Sequence, residues 1–119
     1  LTGERVGYFT SGDTEYVSHY RGGTLDGEVR MFLHDNHIDA IGQFMNGKPV
    51  GKRISYYPSG KIRIEEEVPT DTATTRFVEY YESGNIKFSA LRRGGATIYY
   101  ESRDTLGIIV ERFPNIPNP

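Results

Sequence analysis

Tyr8-Phe9, Phe32-Leu33, Tyr56-Tyr57 and Tyr80-Tyr81 recur at intervals of 24 residues, and this period constrains the fold more than any single residue does. Gly12, Gly60 and Gly84 keep the same phase, with Asn36 in the remaining slot. Gly3, Gly27 and Gly51 keep a second phase, and Gly23, Gly47 and Gly95 a third. Such a period specifies one small supersecondary unit that cannot bury its apolar residues alone and must stack on copies of itself. A stack of this kind favours a binding surface over a catalytic cleft. The period does not name the partner.

Each unit reads as a β-hairpin. Arg53-Ile54-Ser55-Tyr56-Tyr57 leads into Pro58-Ser59-Gly60-Lys61 and then into Ile62-Arg63-Ile64. Pro, Ser and Gly in succession suit a type I turn closed by a glycine at positive φ, which forms a bulge. Val78-Glu79-Tyr80-Tyr81, Glu82-Ser83-Gly84-Asn85 and Ile86-Lys87-Phe88 repeat the pattern. His34-Asp35-Asn36-His37 is the variant turn, with Asn as the commonest non-glycine residue for that backbone region. Between hairpins, Asn46-Gly47-Lys48-Pro49-Val50-Gly51 is expected to make a second kind of turn, with two glycines. Apolar residues alternate at Ile38, Ala40, Gly42, Phe44 and at Ile86, Phe88, Ala90, and no stretch has helical periodicity. The expected fold is all-β: stacked antiparallel hairpins in one elongated, curved sheet, with a closed or partly closed barrel as the alternative.

Residues 1–113 are expected to form a single repeat domain, about four 24-residue units and a shortened C-terminal capping unit. Within it, the Thr-rich segment from Glu67 to Thr75 replaces a glycine turn and reads as a mobile loop, with Pro69 ending the strand before it. Tyr99-Tyr100 follows the preceding aromatic pair by 19 residues, which implies a connection about five residues shorter. Leu106 to Phe113 reads as one closing strand, and 114–119, with three prolines, as a tail.

With these residues in place, the chain resembles the MORN-repeat variants of many bacterial proteins. Their units read Tyr-Tyr, two residues, Gly-Lys, a short strand and an Asn-Gly-Lys turn ending in Gly. Phe44 to Gly51, with Asn46-Gly47-Lys48, and Tyr56 to Lys61 carry the match, and a looser likeness covers residues 3–95. The resemblance implies stacked hairpins with a scaffold or partner-binding role. Some relatives are labelled antitoxins, and the resemblance supplies no catalytic residues.

Because 24 is even, each face of the sheet keeps its parity from unit to unit. Val6, Tyr8, Phe32, Ile54, Tyr56, Val78 and Tyr80 share one face, expected to be the core. Phe9, Leu33, Tyr57 and Tyr81 belong to the other parity and form the candidate binding row. Such rings suit an extended peptide or a sugar chain, and they equally suit cross-strand stacking that stiffens the sheet. Faces of the second strand in each hairpin stay open, because a glycine bulge shifts alternation.

Composition narrows the partners. A net charge of −2 supplies no basic field for nucleic acid or an anionic membrane. No apolar run approaches the ~20 residues of a membrane helix, so direct membrane insertion is not expected. The absence of cysteine excludes disulfides and thiolate metal sites and suits a bacterial cytoplasm or a cell envelope equally. A chain beginning at Leu1 is expected of a trimmed or mature form. His34 and His37, near Asp35 and Asp39, occupy a turn slot and read as solvated rather than as metal ligands. Glu65-Glu66-Glu67 reads as a soluble edge or a contact for a cationic partner rather than an acid–base pair, since adjacent strand carboxylates point apart. With no nucleophile elbow or phosphate loop, neither an enzyme nor a cofactor is expected. The expected function is protein–protein interaction through an aromatic sheet face or an open edge strand. Carbohydrate or envelope-polymer binding by the tyrosine row is the alternative, and the chain is expected to be a monomer or an edge-paired dimer.

Overall fold

The computed structural model describes residues 2–68 and 74–114. Its strands are β1 (Gly3–Tyr8), β2 (Thr14–Arg21), β3 (Thr24–Leu25), β4 (Gly27–Phe32), β5 (Ile38–Met45) and β6 (Lys48–Tyr56). They continue as β7 (Ile62–Val68), β8 (Thr74–Tyr80), β9 (Ile86–Arg93), β10 (Ala96–Arg103) and β11 (Ile109–Phe113). All lie in one antiparallel sheet whose order follows the chain, with only the two-residue β3 off the path beside β2. The first and last strands do not pair with each other, so the sheet is open and not a barrel. The Cα envelope is 57 × 34 × 16 Å. The expected loop lies partly, and the expected tail almost wholly, outside the described residues.

Two kinds of turn alternate. At one end of the sheet the first turn residue both donates to and accepts from the backbone across the turn, as in Tyr57 N to Lys61 O and Gly60 N to Tyr57 O, each 2.8 Å. The closing position needs positive φ, and Gly60 (91°) and Asn36 (67°) supply it. At the other end, Asn46-Gly47 and Gly94-Gly95 are two-residue turns with positive φ at both positions, which matches the twist of the strands they join. Lys48 to Gly51, expected in the turn, already belong to β6 because Lys48 pairs with Met45.

The turn with the closing glycine occurs once more than the aromatic pairs indicate. Asp104 N bonds Ile108 O at 2.9 Å and Gly107 N bonds Asp104 O at 3.0 Å. Asp104 lies 23 residues after Tyr81, so the phase continues with one residue deleted and Arg103-Asp104 in place of the aromatic pair. Tyr99-Tyr100 lies within β10 instead of opening a turn. Of the expected strand from Leu106 to Phe113, only Ile109–Phe113 is strand, and the residues before it belong to the turn.

One rung crosses ten strands: Val6, Val17, Arg30, Ile41, Ile54, Glu65, Val78, Ser89, Glu101, Arg112. This defines the aliphatic face. The next rung, on the opposite face, runs Gly7, Tyr16, Met31, Ala40, Ser55, Ile64, Glu79, Phe88, Ser102, Glu111. Each closing-glycine hairpin also shifts register beside its turn, leaving Glu15, Asp39, Arg63, Lys87 and Val110 as the extra residues.

The aliphatic face is no conventional core. Val78 is 6% exposed, yet Tyr8 of the same expected set is 62% exposed, and the others are half-buried. Among the described residues only Ser18, Val78 and Ala90 are buried, because a single layer has no second sheet to cover either side.

Candidate functional site

Phe9, Leu33, Tyr57 and Tyr81 are the first residues of four successive turns, so they line one end of the sheet and not the middle of a face. All four are half-buried. Tyr57 Oη donates to Tyr80 O at 2.5 Å and Tyr81 Oη donates to Arg103 O at 2.8 Å, each reaching into the following hairpin. Phe9 stacks on His34 of the following turn with ring centroids 4.0 Å apart. Asn85 Nδ2 likewise donates to Thr105 O at 3.1 Å. Phe9, Tyr57 and Tyr81 therefore each tie their unit to the next, and the two tyrosine hydroxyls are turned to the backbone.

The opposite face carries the rings that remain in contact with one another. Phe77 meets Phe88 at 6.0 Å between centroids, Phe88 meets Tyr100 at 5.9 Å, and Tyr100 meets Phe113 at 5.7 Å. These are cross-strand and diagonal neighbours around Ala90, whose small side chain they cover. Further along this aromatic face, Ala40 and Gly42 floor an open trough of about 380 Å³. Val29, Met31, Phe44 and Val68 form apolar walls, and Arg53 and Glu66 stand at its side. Gly42 has only Phe44 near the place a Cβ would occupy, at 3.6 Å. Sequence reasoning missed this trough, because the register shifts hide which residues of β5 and β7 share a face with Met31.

The aliphatic face is charged around its apolar rung. At its C-terminal end Glu101 accepts from the Tyr99 hydroxyl and from Arg103 Nη2, the latter at 3.0 Å, with Arg112 Nε 3.4 Å away. The Tyr99 hydroxyl and then the two guanidinium groups hold the Glu101 carboxyl below its ordinary range, and the same bond raises the Tyr99 phenol. His37 Nδ1 lies 3.0 Å from Asp35 Oδ2 in an exposed turn. Among the described residues no group of three or more His, Cys, Asp or Glu could hold a metal ion.

Aligning the five turns by their hydrogen bonds exposes a further departure. Ser11, Asp35, Ser59 and Ser83 become Leu106; Asp13, His37, Lys61 and Asn85 become Ile108; and the charged bulge residues become Val110. These three are 80%, 60% and 63% exposed. The hydroxyl or carboxylate that receives the backbone N–H two residues on is replaced by Asp104, whose Oδ1 accepts from Leu106 N at 2.9 Å and Ile108 N at 3.0 Å. That relocation frees both positions for apolar side chains.

The MORN repeat variant model matches residues 49–68, which span β6, its closing-glycine turn and β7. The chain thus carries a MORN repeat variant, set in an all-β sheet of hairpins. No curated protein matches the chain. Repeats of this family are associated with interactions with proteins or membrane lipids. No described helix is long and apolar enough to cross a membrane.

Proposed function

We propose that the chain is a non-enzymatic interaction module that holds another protein on its aromatic face. The observation that supports this reading is the trough over Ala40 and Gly42, apolar in floor and walls and uncovered by any second layer among the described residues. Clefts of this character bury a partner's apolar side chains while a few polar groups fix its orientation. Arg53 and Glu66 at the side favour an extended segment with apolar side chains between charged ones. No nucleophile–base pair lines the trough, which suits retention of a partner rather than chemistry on it.

The test uses a partner first identified by crosslinking in source-cell lysate, then purified and titrated calorimetrically against variants. Met31→Lys, on the trough wall, weakens binding by at least about tenfold on this reading, because a charge enters an apolar contact. Lys61→Ser, in an exposed turn, leaves it unchanged. Equal affinities for native chain and Met31→Lys would sink the assignment, and retention of glycan instead of protein would transfer it to the carbohydrate class.

A further inference from the structure

β1 and β11 are the only long strands with a neighbour on one side alone among the described residues, and each has the pairing pattern that the other lacks. Within the sheet, the strand after each closing-glycine turn is covered by the strand that opens the next hairpin: Glu65 faces Val78 and Ser89 faces Glu101. Among the described residues β11 follows such a turn and has no strand on its far side, and β1 opens a hairpin with no strand on its near side. We propose that β11 of one copy takes up β1 of a second copy, so that the sheet continues head to tail between chains. This inference rests on the repeat register and is independent of the trough.

The internal junctions dictate the pairing. The Glu65–Val78 and Ser89–Glu101 pairs recur as Arg112 opposite Val6, and the Glu66–Phe77 and Ala90–Tyr100 pairs as Phe113 opposite Arg5. In that register Arg112 lies diagonal to Glu4, and Glu111 to Arg5, two opposite-charge contacts within reach of long side chains. Phe113 faces a guanidinium, an arrangement the sheet already contains where Arg92 stands 5.9 Å over the Phe77 ring.

The exposure of the two edges points the same way. Phe113 is 45% exposed, whereas the corresponding Ser18 and Ala90, with strands on both sides, are buried, and Gly42 and Glu66 are half-buried. Tyr8 is 62% exposed, whereas the corresponding Phe32, Tyr56 and Tyr80 are half-buried. The preceding turn reaches Tyr80 through the Tyr57 hydroxyl, so Tyr8 of the second copy lands beside the Asp104–Ile108 turn. A capping repeat presents a polar outer side; this last hairpin presents Leu106, Ile108 and Val110.

A heterologous contact of this kind extends into chains unless its rotation closes a ring. Sedimentation of the whole chain is expected to show a mass that rises with concentration. Phe113→Lys places a like charge opposite Arg5, and Arg5→Glu places one diagonal to Glu111, so each variant alone is expected to weaken self-association at least about tenfold. In an equimolar mixture the introduced lysine of one variant faces the introduced glutamate of the other. Such junctions alternate with native Phe113–Arg5 junctions, and association is restored. Circular dichroism of each variant, both altered at exposed residues, checks that the sheet is retained. A native chain monomeric at every concentration overturns the proposal; so does a folded single variant that associates like the native chain, or a mixture that stays monomeric.

Discussion

Replacing Val78 by alanine tests whether a single layer can bury a residue. Val78 is 6% exposed although no second layer covers it among the described residues. Around it stand Lys52, Glu65, Arg76 and Tyr80, long side chains whose stems cover apolar surface while their polar ends stay wet. The substitution removes two methyl groups, and at ~0.8 kcal/mol for each buried group the loss is about 1.6 kcal/mol. In a rigid two-layer core a cavity penalty would add to this and carry the total to roughly 3 kcal/mol or more. Here the covering side chains are free to close over the gap, and water reaches the space beside Val78, an open pocket of about 80 Å³. The expected result in a urea titration is a loss near ~1.6 kcal/mol with an unchanged slope. A loss above about 3 kcal/mol would refute the single-layer account, because it would require a rigid cover over the aliphatic face.

Gly7 lies beneath the Tyr16 ring, and a Cβ there would meet Tyr16 Cε1 at 2.1 Å. Gly7→Ala should therefore destabilise by about 1–3 kcal/mol, and thermal melts of the pair should show the cost disappearing in a Tyr16→Ala background. Tyr57→Phe and Tyr81→Phe each remove one hydroxyl-to-carbonyl bond between hairpins and should each cost about 0.5–1.5 kcal/mol in denaturant titrations. If the turn row serves only to join hairpins, neither change alters affinity for a partner bound in the trough. The Tyr99–Glu101 bond predicts opposite pH limits. The depressed Glu101 carboxyl contributes stability present above its unfolded value and lost as pH falls through the lower folded one. The raised Tyr99 phenol contributes stability present below pH 10.0 and lost as pH rises through its folded value. Melting curves of Tyr99→Phe should show a flatter alkaline limb than the native chain, and an unchanged limb would contradict the bond.

The turns were legible in the sequence for a definite reason. A closing residue at positive φ is strained for most side chains, so Gly12, Asn36, Gly60 and Gly84 mark the backbone conformation itself. The same logic reaches the fifth turn through Gly107, 23 residues after Gly84 and at φ 87°. It was obscured because Tyr99-Tyr100 imitates an aromatic turn pair while Asp104 performs the turn's hydrogen bonding. Parity correctly grouped Ile54, Tyr56, Val78 and Tyr80, since these strands alternate without interruption up to the turn. It could not assemble the trough, because the pairing of β5 with β6 shifts between Ile41 and Gln43 and hides which residues of β6 and β7 lie beside Ala40 and Gly42. Parity also carries no information about layers: alternation states which side a residue faces and not whether anything covers that side.

Because sheet order follows chain order, every hairpin among the described residues pairs with its sequence neighbours alone. A stack of this kind behaves as a one-dimensional array in which interior units gain two interfaces and terminal units one. The tyrosine ties make that asymmetry concrete. Tyr57 and Tyr81 each bind the hairpin that follows, and the fifth turn has Asp104 where such a tie would begin. Among the described residues the two edges are complementary: β1 offers a backbone and an exposed Tyr8 without a turn beside it, and β11 offers Phe113 without a strand beside it. Joining them gives each end the kind of interface that every interior junction already has. The same repetition that leaves the chain without a closed core also leaves it with edges that fit one another.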